Sequence, residues 1–185
     1  MAGGTDKVYV DAREYLRDSW RLAKAVLDSG WKPDVLLALW RGGAGAGVSV
    51  QEFLKVKGIS PRHMPVKCHS YVGIGAHSAE VRFEHADSVF AGLRPGEKVL
   101  VVDDVFDSGR TAAAVRGKLE SLGCEMRMAC VYWKPTRNET ALTPDYHVRE
   151  VDDWIVFPHE IEGLTSEEVA QKDPLLAGLL AGAVE

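Results

Sequence analysis

Hydrophobic and polar positions change period along this chain, and the changes mark out alternating helices and strands. Asp11-Ala12-Arg13-Glu14 reads as a capping box with Asp in the cap. It opens an amphipathic helix that carries Tyr15, Leu16, Ala23, Val26 and Leu27 on its apolar side and stops at Gly30. The run 34–40, apolar from Val35 onward, then predicts a strand buried on both faces. A glycine-rich stretch, 41–47, leads to a predicted helix over 48–57 closed by Gly58, and 64–69 reads as a further strand.

After Ser70 and Tyr71 the pattern dissolves through Gly73, Gly75, His77 and Ser78 as far as Leu93-Arg94-Pro95-Gly96. A long irregular segment of this kind in a compact domain reads as a lid. The alternation resumes with a strand over 98–104, a helix over 111–122 ended by Gly123, and a strand over 126–133. Repeated β-α units predict a parallel sheet covered by helices, with ligands bound at the carboxyl ends of the strands. Beyond Lys134-Pro135 the character changes: 146–151 and 154–157 suggest short antiparallel pieces, followed by a helix near 166–171 and a small apolar tail. No internal repeat interrupts this order.

One run carries the chemistry: Val99-Leu100-Val101-Val102-Asp103-Asp104-Val105-Phe106-Asp107-Ser108-Gly109-Arg110-Thr111. A β-branched strand ends on two adjacent carboxylates and turns through Ser-Gly into an Ala-rich helix. Backbone N–H groups of the turn and the first helical turn lack intrahelical partners, and the helix dipole adds positive charge. The corner is therefore suited to a phosphate. Three carboxylates beside such a cradle would repel a bare polyanion, so they must serve sugar hydroxyls, a hard cation or a proton in transit. A metal-binding strand of a P-loop NTPase shares the Val-Val-Asp-Asp piece, but no Gly-x4-Gly-Lys-Ser/Thr occurs in the chain. A receiver domain would open with this strand rather than place it beyond residue 95. A dinucleotide fold is a weak alternative for 41–47, because Gly43-x-Gly45-x-Gly47 misses the G-x-G-x-x-G spacing.

The run closely resembles the phosphoribosyl-pyrophosphate (PRPP) motif of type I phosphoribosyltransferases. The resemblance extends over most of 35–160 and is strongest at 99–111 and 132–160. It implies an α/β fold with a parallel sheet flanked by helices, and a single domain over 1–185 in which 134–165 forms a purine-binding hood. It further implies that Asp103, Asp104, Asp107, Ser108, Gly109, Arg110 and Thr111 bind PRPP and its 5′-phosphate, with Asp107 catalytic at purine N7 and Asp104 contacting Mg²⁺. Arg41-Gly42-Gly43 stands where the family has its pyrophosphate loop, which often holds a non-proline cis peptide; Arg41–Gly42 is the expected position. Ser70 and Tyr71 stand where a Ser-Tyr pair opens the catalytic lid, and Arg82 is a weak match for the lid's basic residue.

Tyr132-Trp133-Lys134-Pro135 and Asp153-Trp154-Ile155-Val156-Phe157-Pro158-His159-Glu160 follow the pattern of the xanthine, hypoxanthine and guanine group. By that resemblance Lys134 meets purine O6, Trp154 and Ile155 pack on the ring, and carbonyls at Trp154 and Glu160 meet the 2-position. An ammonium donates to O6 and is repelled by the 6-amino group of adenine. The implied reaction is transfer of phosphoribose from PRPP to N9 of a 6-oxopurine in purine salvage. A non-catalytic PRPP or nucleotide sensor of the same fold, and a transferase for another base, are the alternatives.

Composition narrows this only at the margins. With 185 residues, 46% hydrophobic and 26% charged, the chain is sized for one core-forming domain. Its net charge of −5 argues against a nucleic-acid surface. The absence of a long apolar stretch argues against a membrane partner, and no signal-like start is visible, so a cytoplasmic location is expected. Cys68, Cys124 and Cys130 lack C-x-x-C spacing and are expected to be buried reduced thiols. The six histidines are given no metal role. Family members are usually dimers or tetramers, which implies a homo-oligomer here.

Overall fold

A computed structural model describes residues 7–71 and 80–182. By density of internal contacts the chain divides into two compact units: Leu16–Asp152, and a smaller one that joins the two chain ends, up to Tyr15 and from Asp153 onward. The segment expected as a hood is thereby split, since 134–152 belongs to the larger unit.

The larger unit is built on a six-stranded sheet. Its strands are β2 (Val35–Trp40), β3 (Arg62–Tyr71), β4 (Glu80–Glu84), β5 (Lys98–Phe106), β6 (Glu125–Trp133) and β7 (Tyr146–Glu150), in the order β4-β3-β2-β5-β6-β7. All neighbours are parallel except β3 and β4. The helices are α1 (Ala12–Asp28), which begins in the smaller unit, α2 (Gly43–Val56), α3 (Asp87–Ala91) and α4 (Arg110–Ser121). Strand order reverses between β2 and β5, so a crevice opens beyond their carboxyl ends, the place where such sheets bind ligands.

Burial explains the apolar runs. Val35, Leu37, Leu39, Val99 and Val101 form one sheet face with Phe90, Val115, Leu119, Met126 and Met128. Leu36, Leu100 and Val102, alternating with them, are equally buried, as are Leu22, Val26, Val50 and Leu54 from α1 and α2. A Cβ on Gly47 would stand 2.6 Å from that of Ala38, so α2 lies close over β2 where both residues are small. Asp11 caps α1 as expected, its carboxylate accepting from the amides of Arg13 and Glu14 at 2.9 and 3.1 Å.

In the larger unit three elements differ from those predicted. First, α2 starts at Gly43 rather than near 48, because close packing over β2 and β5 outweighs the poor helix propensity of Gly43, Gly45 and Gly47. Second, the part of 70–97 read as patternless contains β4 and α3. Strand β4 gains its order from antiparallel pairing with β3, and Phe83 packs edge-on against Phe90 at 5.2 Å. Third, β7 is parallel to β6, not antiparallel. The chain runs back through 134–145 before it enters the sheet, and Asp145 sets the register by accepting from the Met128 amide at 2.8 Å.

In the smaller unit β1 (Lys7–Tyr9) pairs in parallel with β8 (Trp154–Val156), again where an antiparallel piece was expected. The pairing continues through the Val10 amide to the Val156 carbonyl at 3.0 Å. Strand β1 has three residues, too few for a period to show. Helix α5 (Ser166–Lys172) starts on a capping box of Thr165 and Glu168, and the tail forms α6 (Pro174–Leu180) capped by Asp173. Lys7 pairs with Glu168 at 2.6 Å, and Tyr15 and Phe157 meet edge to face. All three cysteines are free; Cys124 and Cys130 are buried and Cys68 half-buried. No helix among the described residues is long and apolar enough to cross a membrane.

Candidate active site

The crevice between β2 and β5 is lined by two strand-to-helix turns. Strand β5 delivers Asp103 and Asp104 with their carboxylates tied to the strand's own backbone. Asp103 accepts from the Asp104 amide at 3.0 Å, and Asp104 from the Val105 amide at 2.8 Å. The Gly43 amide also donates to Asp103. Burial and, next, the neighbouring charge of Asp104 push the Asp103 carboxyl well above the ordinary carboxylate range. Two such acids cannot both ionise freely, so a cation or hydroxyl donors that favour both charges would be drawn in.

The turn after β2 presses against these acids. The non-proline cis peptide is present, but at Trp40–Arg41, one bond before the expected Arg41–Gly42. Strand pairing runs through Trp40 and Gly42 is already helical (φ −60, ψ −44), so the change of direction sits at Arg41. A Cβ on Gly42 would stand 2.1 Å from the Asp104 carboxylate, and one on Gly43 would be 2.4 Å from the Val102 carbonyl. Glycine is needed at both positions for space.

The turn after β5 needs glycine for conformation as well. Gly109 has φ +77, a left-handed geometry, and heads α4 without a side-chain cap among the described residues. The corner encloses a cavity of about 220 Å³, lined by Asp103, Asp107, Ser108, Gly109, Thr111 and Ala112 among others. An uncapped helix start beside an open cavity is the arrangement that binds a phosphate through backbone amides. Arg110 turns aside to pair with Glu139 at 2.5 Å.

Lys134 and Asp107, far apart in sequence, are brought together. The Lys134 amide donates to the Phe106 carbonyl at 2.9 Å, and its side chain, mostly buried, ends 3.6 Å from Asp107. Arg137, which the sequence reading missed, lies 3.7 Å from the other oxygen of Asp107. Pro135–Arg137 is a single 3-10 turn, whose period of three returns Arg137 to the side of Lys134. Asp107 remains partly exposed between the two cations.

Ser70 and Tyr71 end β3; their side chains, and the lid expected beyond them at 72–79, fall outside the described residues. Arg82 is exposed on β4, opposite His69 in the register. In the smaller unit Trp154 is exposed and Ile155 buried. The Glu160 carbonyl accepts from Lys172, which also donates to the Phe157 carbonyl at 2.7 Å, and burial lowers the Lys172 pKa. No cluster of three or more His, Cys, Asp or Glu suited to a metal occurs among the described residues.

Comparison with known proteins agrees with this geometry. The family model for the phosphoribosyl transferase domain matches residues 7–166. A xanthine-guanine phosphoribosyltransferase of Gluconobacter oxydans is 30% identical over 147 residues, 77% of each chain. An adenine phosphoribosyltransferase of Microcystis aeruginosa is 33% identical over 105 residues, 54% of this chain and 57% of that one. The crystal structure of a purine phosphoribosyltransferase from Pyrococcus horikoshii superposes with a TM-score of 0.70 at 28% identity, covering 86% of this chain and 97% of that one.

Proposed function

The chain belongs to the phosphoribosyl transferase family, and on that premise we propose that it transfers the 5-phosphoribosyl group of PRPP to N9 of a 6-oxopurine, releasing pyrophosphate. Hypoxanthine, guanine and xanthine are the candidate bases, and the role is purine salvage. The observation that carries the reading is the buried Lys134 ammonium 3.6 Å from Asp107, at the edge of the phosphate corner. A donor for O6 and a proton acceptor for N7 stand side by side, which matches the two adjacent polar atoms of an oxopurine's edge.

Amides from Asp107 to Thr111 hold the 5′-phosphate. Asp103 and Asp104 accept hydrogen bonds from the ribose 2′- and 3′-hydroxyls and stabilise positive charge as the bond from C1′ to the diphosphate oxygen breaks. N9 supplies the electron pair for the new bond to C1′, the N7 proton passes to Asp107, and pyrophosphate leaves with the electrons of the broken bond. Arg41, Gly42 and Gly43 face that leaving group. Mg²⁺ suits this donor set, because it takes one or two carboxylates and completes its shell with substrate oxygens. Asp104, with Asp103 beside it, would hold it, and it would neutralise charge on the diphosphate. Trp154 and Ile155, with the Glu160 carbonyl, remain proposed for the base. A cytoplasmic homo-oligomer, dimer or tetramer, completes the reading.

The Microcystis relative favours a second reading, in which the base is adenine. Pyrophosphate release measured with PRPP, Mg²⁺ and each of hypoxanthine, guanine, xanthine and adenine separates the two. Turnover of an oxopurine above adenine is expected. Preference for adenine would overturn the oxopurine assignment.

A further inference from the structure

The loop that follows Lys134 touches the phosphate corner residue by residue. The Lys134 amide bonds the Phe106 carbonyl, and Lys134 and Arg137 flank Asp107. The Glu139 amide donates to the Ser108 carbonyl at 3.0 Å, and the Glu139 carboxylate holds Arg110. At Gly109 the fit is close: an added Cβ would stand 2.4 Å from the Thr140 hydroxyl and 2.7 Å from the Asn138 side-chain oxygen. We propose that residues 134–142 are a template that holds the corner in its phosphate-binding shape, with Asn138 as the positioning residue.

Across a trans peptide the C=O and N–H point in opposite directions. Fixing the Ser108 carbonyl toward Glu139 therefore aims the Gly109 N–H away from the loop. The cavity is lined by Ser108 and Gly109 and by none of residues 134–142, so this amide is turned from the template toward the ligand's side. The Glu139 amide keeps its place because Asn138 closes the turn around it. The Asn138 oxygen accepts from the Thr140 amide at 3.0 Å and the Thr140 hydroxyl at 2.9 Å, while its amide donates to the Leu142 carbonyl at 2.7 Å. Thr140 in turn accepts from the Leu142 amide, and Leu142 packs on the core. Core packing is thus transmitted to the corner through a side chain that no ligand need touch.

The inference deepens the proposed function, since it rests on the corner binding the sugar's phosphate. The test uses the full chain and compares binding of ribose 5-phosphate and of ribose by calorimetry, with steady-state kinetics beside it. Asn138→Ala is expected to weaken ribose 5-phosphate binding and raise KM for PRPP about tenfold, with kcat and the KM for the base within about twofold. Asn138→Ser, whose hydroxyl still accepts from the Thr140 amide, is expected to recover part of that loss, and it carries the test if the alanine variant does not fold. A merely structural role would lower the melting temperature without this split. Unchanged ribose 5-phosphate affinity in a folded variant, or loss confined to kcat, overturns the proposal. So does a wild-type protein that prefers ribose 5-phosphate to ribose not at all. A wild-type protein that binds ribose 5-phosphate but turns over no oxopurine overturns the assigned reaction and leaves the template standing.

Discussion

The turns after β2 and β5 lie side by side in the crevice, and both depend on glycine, yet for different reasons. After β2, Gly42 has ordinary helical angles and Gly43 begins the helix; a side chain at either would strike the neighbouring acids or the Val102 carbonyl. After β5, Gly109 needs its left-handed φ and is also crowded by Asn138 and Thr140. One turn is shaped by what it must approach. The other is shaped by the path it must follow, and it carries Asp107, the group proposed to accept the proton.

If chemistry belongs to the β5 turn, the largest loss should come there. Asp107→Asn keeps the shape and removes the proton acceptor, so kcat should fall about 10³-fold while KM for PRPP changes little. A variant with normal turnover would take Asp107 out of catalysis. Next in size, Gly43→Ala places a methyl against backbone that cannot yield, which displaces the loop from Asp103. A loss of about 10²-fold in kcat/KM is expected, with a lower melting temperature; an unaffected enzyme would show that the close approach is dispensable.

Gly109→Ala should be milder, about tenfold in KM for PRPP, because alanine tolerates left-handed angles at a cost of about 1–2 kcal/mol and the crowding Thr140 hydroxyl can turn. Pairing it with Thr140→Gly should recover part of the loss, and strict additivity would disprove the contact.

The smallest effect is one of stability. Burial and the charge of Asp104 raise the Asp103 pKa, so the folded chain holds a proton that the unfolded chain releases near pH ~4. That contribution is complete below this pH and is lost as pH rises through the folded value. Asp103→Asn removes the titration, and its amide can donate to Asp104. In Mg²⁺-free buffer the variant should melt about 2–4 °C above wild type at neutral pH, with the gap closing on acidification. A gap independent of pH would assign the shift to another cause.

What was legible followed chain distance. The β5 corner lies within thirteen consecutive residues, Val99 to Thr111, so strand, acids, turn and helix start could be read together. The β2 turn was only partly legible. Arg41-Gly42-Gly43 stands out in the chain, but the helix start at Gly43 depends on its close approach to Val102 and Asp103, distant in sequence. Arg137, Asn138 and Thr140 went unnoticed because nothing local in Arg-Asn-Glu-Thr speaks of the corner they touch. Helix α6 could have been found, since Asp173-Pro174 is a cap followed by a favoured first residue.

By itself the sequence determined the β-α alternation, the two-faced burial of the central strands and the acid-rich strand-to-helix corner, because periodicity, turn chemistry and helix capping act over a few residues. Tertiary structure alone decided that β7 runs parallel to β6, that β1 meets β8, and that Lys134 and Arg137 close on Asp107. Those outcomes depend on which backbone edge is left unpaired and which charge lies within reach after the chain has packed, quantities that exist only in three dimensions.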